Sequence, residues 1–454
     1  MNSDSATSPV VLLVDSKTRD LDVAVLIAHH LRALGVGCHL EPLEAYRAVV
    51  ATYRPGLILF NHLTASHLVS WSRRLAELGV LTAVLPNEGI MYDPDDLKYS
   101  SGRHHSAAHI DYFFCWNEPH RQALLAEGFD RETRVEVVGV PRFDFYFAPW
   151  SRVLHVPTLQ RPPRPRVLVC TNFVTAQFFE LPPAEGDKFF APWKDRIPIY
   201  RNYRRSIEAH WQGRRQCLDF LSALTRADRY EVTVRPHPRE DVRFYSDWIA
   251  SLPASQRAHV KLDANSNVSA LILDCDLEIS CETCTTALES WIAGKPTIEL
   301  IFEKDVLWYR EEQADANVPC INPADLPALV ESHLTDPKQP AHAAARQRHL
   351  ERWCAAPDGT SCQRLARILA EAVLHRPPPD ASKFTATDRR RAAKLLALRK
   401  LGLVYHFDPF MPLKRAVLGD RYAIKDFAYR KSIKPADVME AQRRLEAGIA
   451  TGRD

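Results

Sequence analysis

The sequence has almost no net charge: 59 Lys and Arg stand against 56 Asp and Glu, and a balance of +3 offers nucleic acid no global electrostatic footprint. It lacks any run of about 18 uncharged apolar residues, so no helix is expected to cross a bilayer and any membrane contact is peripheral. No N-terminal stretch joins a basic start to an apolar run and a small-residue cleavage site, which predicts a cytoplasmic chain without a secretory signal. Dense, even cysteine spacing is missing as well. The ten cysteines are scattered, with Cys38, Cys115, Cys170 and Cys217 in apolar segments, and they read as reduced, buried thiols. Cys281-Glu-Thr-Cys284 has no second pair to complete a zinc site, and no metal is expected. Neither a Walker-type phosphate loop nor a GxGxxG fingerprint occurs, which counts against an NTPase and a dehydrogenase.

What is present is a long alternation of strands and helices. At 454 residues, 46% of them hydrophobic and 25% charged, the chain exceeds one ordinary core and predicts two domains with an appendage. Strands are expected at Pro9–Val14, Val36–Leu40, Gly56–Asn61, Val80–Leu85, Tyr112–Trp116 and Val135–Val138. After the proline-rich stretch 157–165 the pattern restarts at Arg166–Cys170, Tyr230–Val234, His259–Leu262, Leu277–Ser280 and Thr297–Leu300. The fold class is therefore α/β, with two Rossmann-like parallel-sheet domains facing across a cleft and a basic helical C-terminal appendage. The boundaries fall at 9–150, 165–375 and 376–454.

Ligands of open parallel sheets bind at the carboxyl ends of strands, and the informative polar groups stand there. Arg235-Pro-His-Pro-Arg-Glu-Asp241 closes one strand with an imidazole and guanidiniums, groups suited to phosphate oxygens. His237 lies between two prolines that narrow its conformation, with Pro238 fixed in φ. The run from Ser280 through Glu282 to Thr285, Thr286 and Glu289 leads from a strand into a helix start rich in hydroxyls, where free N–H groups favour an anion. Glu289 is placed to bond a ribose hydroxyl. Asn87-Glu88-Gly89 follows a strand of the first sheet, and the glycine leaves room for a ligand beside Glu88, a candidate base for a sugar hydroxyl.

Residues 383–431 carry the basic clusters Arg389–Arg391, Arg399-Lys400, Lys414-Arg415 and Arg430-Lys431, interleaved with Leu, Phe and Tyr. Two readings stand: a solvated helical appendage, or an in-plane anchor to anionic lipid at the inner face of the cytoplasmic membrane.

The order Asp15 to Leu21 (with Arg19 and Asp20), Asn87-Glu-Gly89, Val138 to Asp144 (with Arg142), Arg235 to Pro238, and Ser280 through Glu289 to Pro296 resembles the bacterial surface carbohydrate biosynthesis proteins. That resemblance spans about residues 10 to 375 and implies glycosyltransferases of the two-domain type called GT-B. The site segments are also similar to those of sialyltransferases and Kdo transferases, which use CMP-linked acidic sugars. Carried over, the resemblance makes Glu88 the base, His237 and Pro238 the phosphate pair, and Thr285 with Thr286 the hydroxyl pair, while Arg19, Asp20, Gly89 and Arg142 fall on the acceptor side or hinge. Here the acidic motif reads Asn-Glu-Gly in place of a double acid, and the hydroxyl pair is Thr-Thr in place of Ser-Ser. The implied reaction is metal-independent and cofactor-free: a nucleotide-sugar donor gives its sugar to a surface polysaccharide or lipid-linked glycan. A UDP-sugar 2-epimerase and a polyol-phosphate transferase are the alternatives.

Overall fold

The computed structural model describes residues 7–105, 108–154, 163–302, 307, 309–418, 429 and 431–450. Residues 157–162 of the proline-rich stretch, and 419–428 and 430 of the basic segment, lie outside the described residues. The first sheet contains β1 (Val10–Val14), β2 (Cys38–Pro42), β3 (Leu57–Phe60), β4 (Leu81–Val84), β5 (Tyr112–Cys115) and β6 (Arg134–Val137), in the order β2-β1-β3-β4-β5-β6. The second contains β7 (Arg166–Cys170), β8 (Glu231–Arg235), β9 (Val260–Leu262), β10 (Leu277–Cys281), β11 (Thr297–Leu300) and β12 (Val318–Cys320), in the order β12-β11-β10-β7-β8-β9.

Every described pairing is parallel. Helices cover both faces of such sheets, so their central strands show apolar runs in place of alternation. All five residues of Val10–Val14 are buried, and so are all five of Leu277–Cys281. The edge strand β12 has no counterpart in the sequence reading. It is three residues long with Pro319 at its centre, a residue that periodicity assigns to a loop and that only an edge tolerates.

Two compact units contain these sheets. The first holds the chain up to Met91, Ser100–Asp144 and the chain from Trp353 onward; the second holds Tyr92–Tyr99 and Phe145–Arg352. This partition differs from the sequence boundaries, because the chain returns to its first sheet after Arg352. Helix Ser361–Val373 packs on helix Lys17–Ala33 and on β3, burying Cys362, Leu365, Leu369 and Val373. The Asp144 carboxylate accepts the N–H groups of Ser361 (3.0 Å) and Cys362 (2.7 Å), closing that return.

The C-terminal helices form a packed layer on the first unit. Helix Ala386–Lys400 lies on Val49–Tyr53, with Phe384 and Leu395 inside the first core, and helix Pro435–Ala450 lies on Lys17–Ala33. Arg399 pairs with the buried Glu41, Lys431 with Asp15 at 2.5 Å and Arg444 with Asp22 at 2.6 Å. Among the described residues no helix is long and apolar enough to cross a membrane. All ten cysteines are free thiols.

Candidate active site

Each sheet reverses its strand order once, between β1 and β3 in the first unit and between β7 and β10 in the second. At such a switch point the two flanking connections leave in opposite directions and open a crevice above the carboxyl ends of the strands.

In the first unit that crevice is a pocket of about 60 Å³, whose polar lining comes from Arg19, Asp20, Asn61, Asn87, Trp116 and Arg142. Asp20 accepts the Ser16 N–H (3.0 Å) and the Arg19 guanidinium (Nε, 2.7 Å), and Arg19 also reaches Asp15 at 3.1 Å. Burial pushes the Arg19 guanidinium down, but Asp20, Glu88 and Asp15 outweigh it and hold its pKa above the ordinary value. Glu88 is exposed in the loop after β4, within electrostatic reach of Arg19.

Gly89 is buried behind it, and a Cβ there would stand 2.5 Å from Cγ of Trp116. Only glycine lets the Glu88 loop lie so close to the ring. Asn117 fixes the loop from below, donating to the Gly89 carbonyl at 2.7 Å. Arg142 lies over the Trp116 ring, 4.7 Å from its centroid. Asn61 donates to Asn87 (2.8 Å), while Asn61 Oδ1 and Trp116 Nε1 are buried with no hydrogen-bond partner among the described residues. An acceptor and a donor left unmatched beside one pocket suit a hydroxyl-bearing guest, which both gives and takes a hydrogen bond.

In the second unit the register sets the geometry. Ser280 of β10 stands opposite Cys170 of β7, which stands opposite Arg235 of β8. Beyond these rungs the chain leaves the sheet toward Glu282, Asn172 and His237 at the same carboxyl edge. Strand spacing puts Ser280 and Arg235, two strands apart, about 10 Å from each other. The loops after β8 and β10 therefore share an edge.

Glu240 holds the first of these loops. Its buried carboxylate accepts the His237 N–H (3.0 Å), the Thr171 hydroxyl (2.7 Å) and the Tyr245 hydroxyl (2.5 Å). His237 is half-buried, and its Nδ1 accepts the Arg239 N–H at 3.2 Å, so Nε2 carries the proton. Burial, then the charges of Arg239 and Arg235, push the His237 imidazole down to about 4. At neutral pH it is an uncharged donor between two guanidiniums.

The second loop is strained and tied down. Glu282 and Thr283 both take left-handed backbone conformations, φ 54° and 47°, which cost of order 1–3 kcal/mol each outside glycine. Glu299 accepts the Thr283 N–H (2.7 Å), the Thr283 hydroxyl accepts the Arg310 N–H (3.2 Å), and Gln313 donates to the Cys284 carbonyl (2.8 Å).

The hydroxyls expected to line this loop divide. Ser280 and Thr286 turn inward and both donate to the buried Glu278, at 2.8 Å and 2.9 Å, because β10 is central and covered on both faces. Glu289 is buried and accepts the Tyr146 hydroxyl. Thr285 is half-exposed at the start of helix Thr286–Ile292. Burial pushes the Glu278 carboxyl up to about 7 and the Glu299 carboxyl up to about 8.

The sequence reading missed the carboxylates that hold both loops, Glu240, Glu278 and Glu299, and the arginine beside the second, Arg310. A signal existed for two of them: Glu278 and Glu299 are acids inside otherwise apolar strands of a sheet covered on both faces, where an acid needs a structural partner.

No protein-family model matches the chain, and no curated protein matches its sequence. Its fold is similar to a Listeria monocytogenes structure described as a UDP-N-acetylglucosamine 2-epimerase, with TM-score 0.51 and 12% identity over 83% of this chain and 99% of that one. It is also similar to the wall teichoic acid polymerase TagF, with TM-score 0.50 and 12% identity over 81% of this chain and 89% of that one. The likeness is one of fold, the pair of Rossmann-like units of the GT-B class.

Proposed function

We propose that the chain is a GT-B-type glycosyltransferase that moves a sugar from a nucleotide-activated donor, a CMP-linked acidic sugar by preference, to a surface polysaccharide or lipid-linked glycan. The observation that carries this reading is the shared edge of the second unit: His237 and the strained loop leading to Thr285 rise from β8 and β10 on the same side of their sheet. The name of one structural neighbour, a UDP-sugar epimerase, agrees with a nucleotide-linked substrate, and that of the other, a wall teichoic acid polymerase, with a surface-polymer product.

In this mechanism the second unit holds the donor. Nε2–H of His237, the Arg235 guanidinium and the Thr285 hydroxyl meet the phosphate, where negative charge grows as the bond to the sugar breaks. Donors placed for that developing charge assist the chemical step more than those that bind the ground state equally well. An arriving phosphate also offsets the repulsion from Arg235 and Arg239, so protonation of His237 becomes easier as the leaving group departs. Ser280 and Thr286 act behind this surface by anchoring on Glu278, Glu289 by holding the Tyr146 hydroxyl, and Glu282 forms part of the strained turn itself. The first unit holds the acceptor, with Glu88 removing a proton from the attacking hydroxyl, Arg19 and Asp20 orienting it, and Trp116 and Arg142 forming the wall. The charge at phosphorus is met by protein groups without a metal.

The test is a panel of CMP-, UDP-, GDP- and CDP-linked sugars with release of free nucleotide as readout, repeated with a chelator. His237→Ala and Glu88→Gln are each expected to lose about a hundredfold or more in turnover with folding intact. Unchanged turnover in both variants removes the assignment. Conversion of a UDP-sugar to its epimer without an acceptor replaces transfer by epimerisation, and attack at phosphorus with release of CMP from a CDP-polyol replaces it by polyol-phosphate transfer.

A further inference from the structure

A second pocket, of about 250 Å³, lies in the first unit between the edge strand β2 and the C-terminal helices. Three cationic side chains line it, Arg32, Arg399 and Lys434, against one carboxylate, Glu41. Glu41 is already engaged by Arg399 and by the Tyr53 hydroxyl (2.5 Å). No carboxylate among the described residues forms an ion pair with Arg32 or with the Lys434 ammonium. The local field is positive: after burial, Arg399 and Arg32 both push the His39 imidazole below its ordinary value.

Exposed apolar side chains stand in the lining and along the C-terminal segment that supplies it. Met439, in the pocket lining, is 55% exposed, and Leu396 and Leu401, on either side of Arg399, are 54% and 68% exposed. The chain continues with Phe410, Leu413 and Val417 at 62–74% exposure, one face of the helix Met411–Leu418 and the turn before it. Residues 383–418 hold nine cations (Lys383, the triplet 389–391, Lys394, and the pairs 399–400 and 414–415) against Asp388 and Asp408. Both acids are engaged, Asp388 in the cap at Thr385 and Asp408 with Lys414 at 2.5 Å.

We propose that this pocket takes the phosphate of an anionic lipid, and that the exposed Leu, Phe and Val side chains of residues 396–417 seat the first unit in the plane of a bilayer surface. Cations with unmatched charge attract the anionic headgroups, and large exposed apolar side chains of the same C-terminal segment enter the acyl boundary. Neither contribution alone gives stable adsorption; together they do. An acceptor carried on a lipid would then be met at its own surface. The inference stands without the transfer reading, since binding to vesicles is measured without turnover and the two ideas fail separately.

The experiment is flotation of the full chain with vesicles containing about one third phosphatidylglycerol, and with pure phosphatidylcholine vesicles. Wild type is expected to float with the anionic vesicles at low salt, to be released by high salt and to ignore phosphatidylcholine. Arg32→Ala with Lys434→Ala should lower partition about fivefold per cation removed. Leu413→Ser with Val417→Ser, on a solvent-facing surface where folding is not at stake, should lower it about tenfold. Equal flotation of wild type and both variants overturns the proposal, as does absence of flotation with anionic vesicles. Thermal stabilisation by inorganic phosphate that vanishes in Arg32→Ala with Lys434→Ala, without any flotation, assigns the pocket to a free anion and overturns the lipid assignment.

Discussion

Glu278 and Glu299 make the second unit sensitive to alkali. Both hold their protons to about 7 and about 8, against an ordinary carboxyl value of 4.5, because burial penalises the charged form. Between those limits the unfolded chain has released protons that the folded chain retains, so stability falls as pH rises through the window and levels off above it. We expect the melting temperature to decline from about pH 5 to 8, and the decline to flatten in Glu278→Gln with Glu299→Gln, where the charge cannot form. A slope unaltered by the double substitution contradicts this account. Gly89 is a second sensitive position. A methyl at 2.5 Å from the Trp116 ring meets a buried side chain rather than a flexible end, and Gly89→Ala should cost about 1–3 kcal/mol by denaturant titration. The displaced ring would also narrow the pocket that Trp116 lines, so affinity for any ligand held there should fall along with stability.

At the scale of elements, the helices after Arg376 are part of the first core. Leu395 is 2% exposed within it, and Leu395→Ala should destabilise the protein by about 2–5 kcal/mol, a loss that a free appendage would not show. The sequence made eleven of the twelve strands legible, because strands of covered parallel sheets read as apolar runs between turn residues. It also placed the polar loops at their carboxyl ends. Contacts over hundreds of residues were hidden from it: Asp144 with Ser361, Arg54 with the Pro379 carbonyl (3.0 Å) and Arg399 with Glu41 join segments whose local patterns carry no trace of one another. The site was legible to the same depth. Residue types and positions placed His237, Glu88 and Thr285 in loops beyond the strands, where the structure has them, whereas the inward turn of Ser280, Thr286 and Glu289 depends on partners that local pattern does not show.

The whole molecule is one unit interrupted by another: the stretch Phe145–Arg352, with Tyr92–Tyr99, is inserted between portions of the unit that precedes and follows it. On a ribosome, the strands of the first sheet emerge early, but the side chains that cover them, Val373 beside Gly56 and Leu395 in the core, come more than two hundred residues after Asp144. The earlier half must wait, its apolar surface partly bare, while the insert acquires its own fold, and the last-made helices then seal what was begun first. Nascent chains of this protein thus pass through a long interval in which chaperone capture competes with completion.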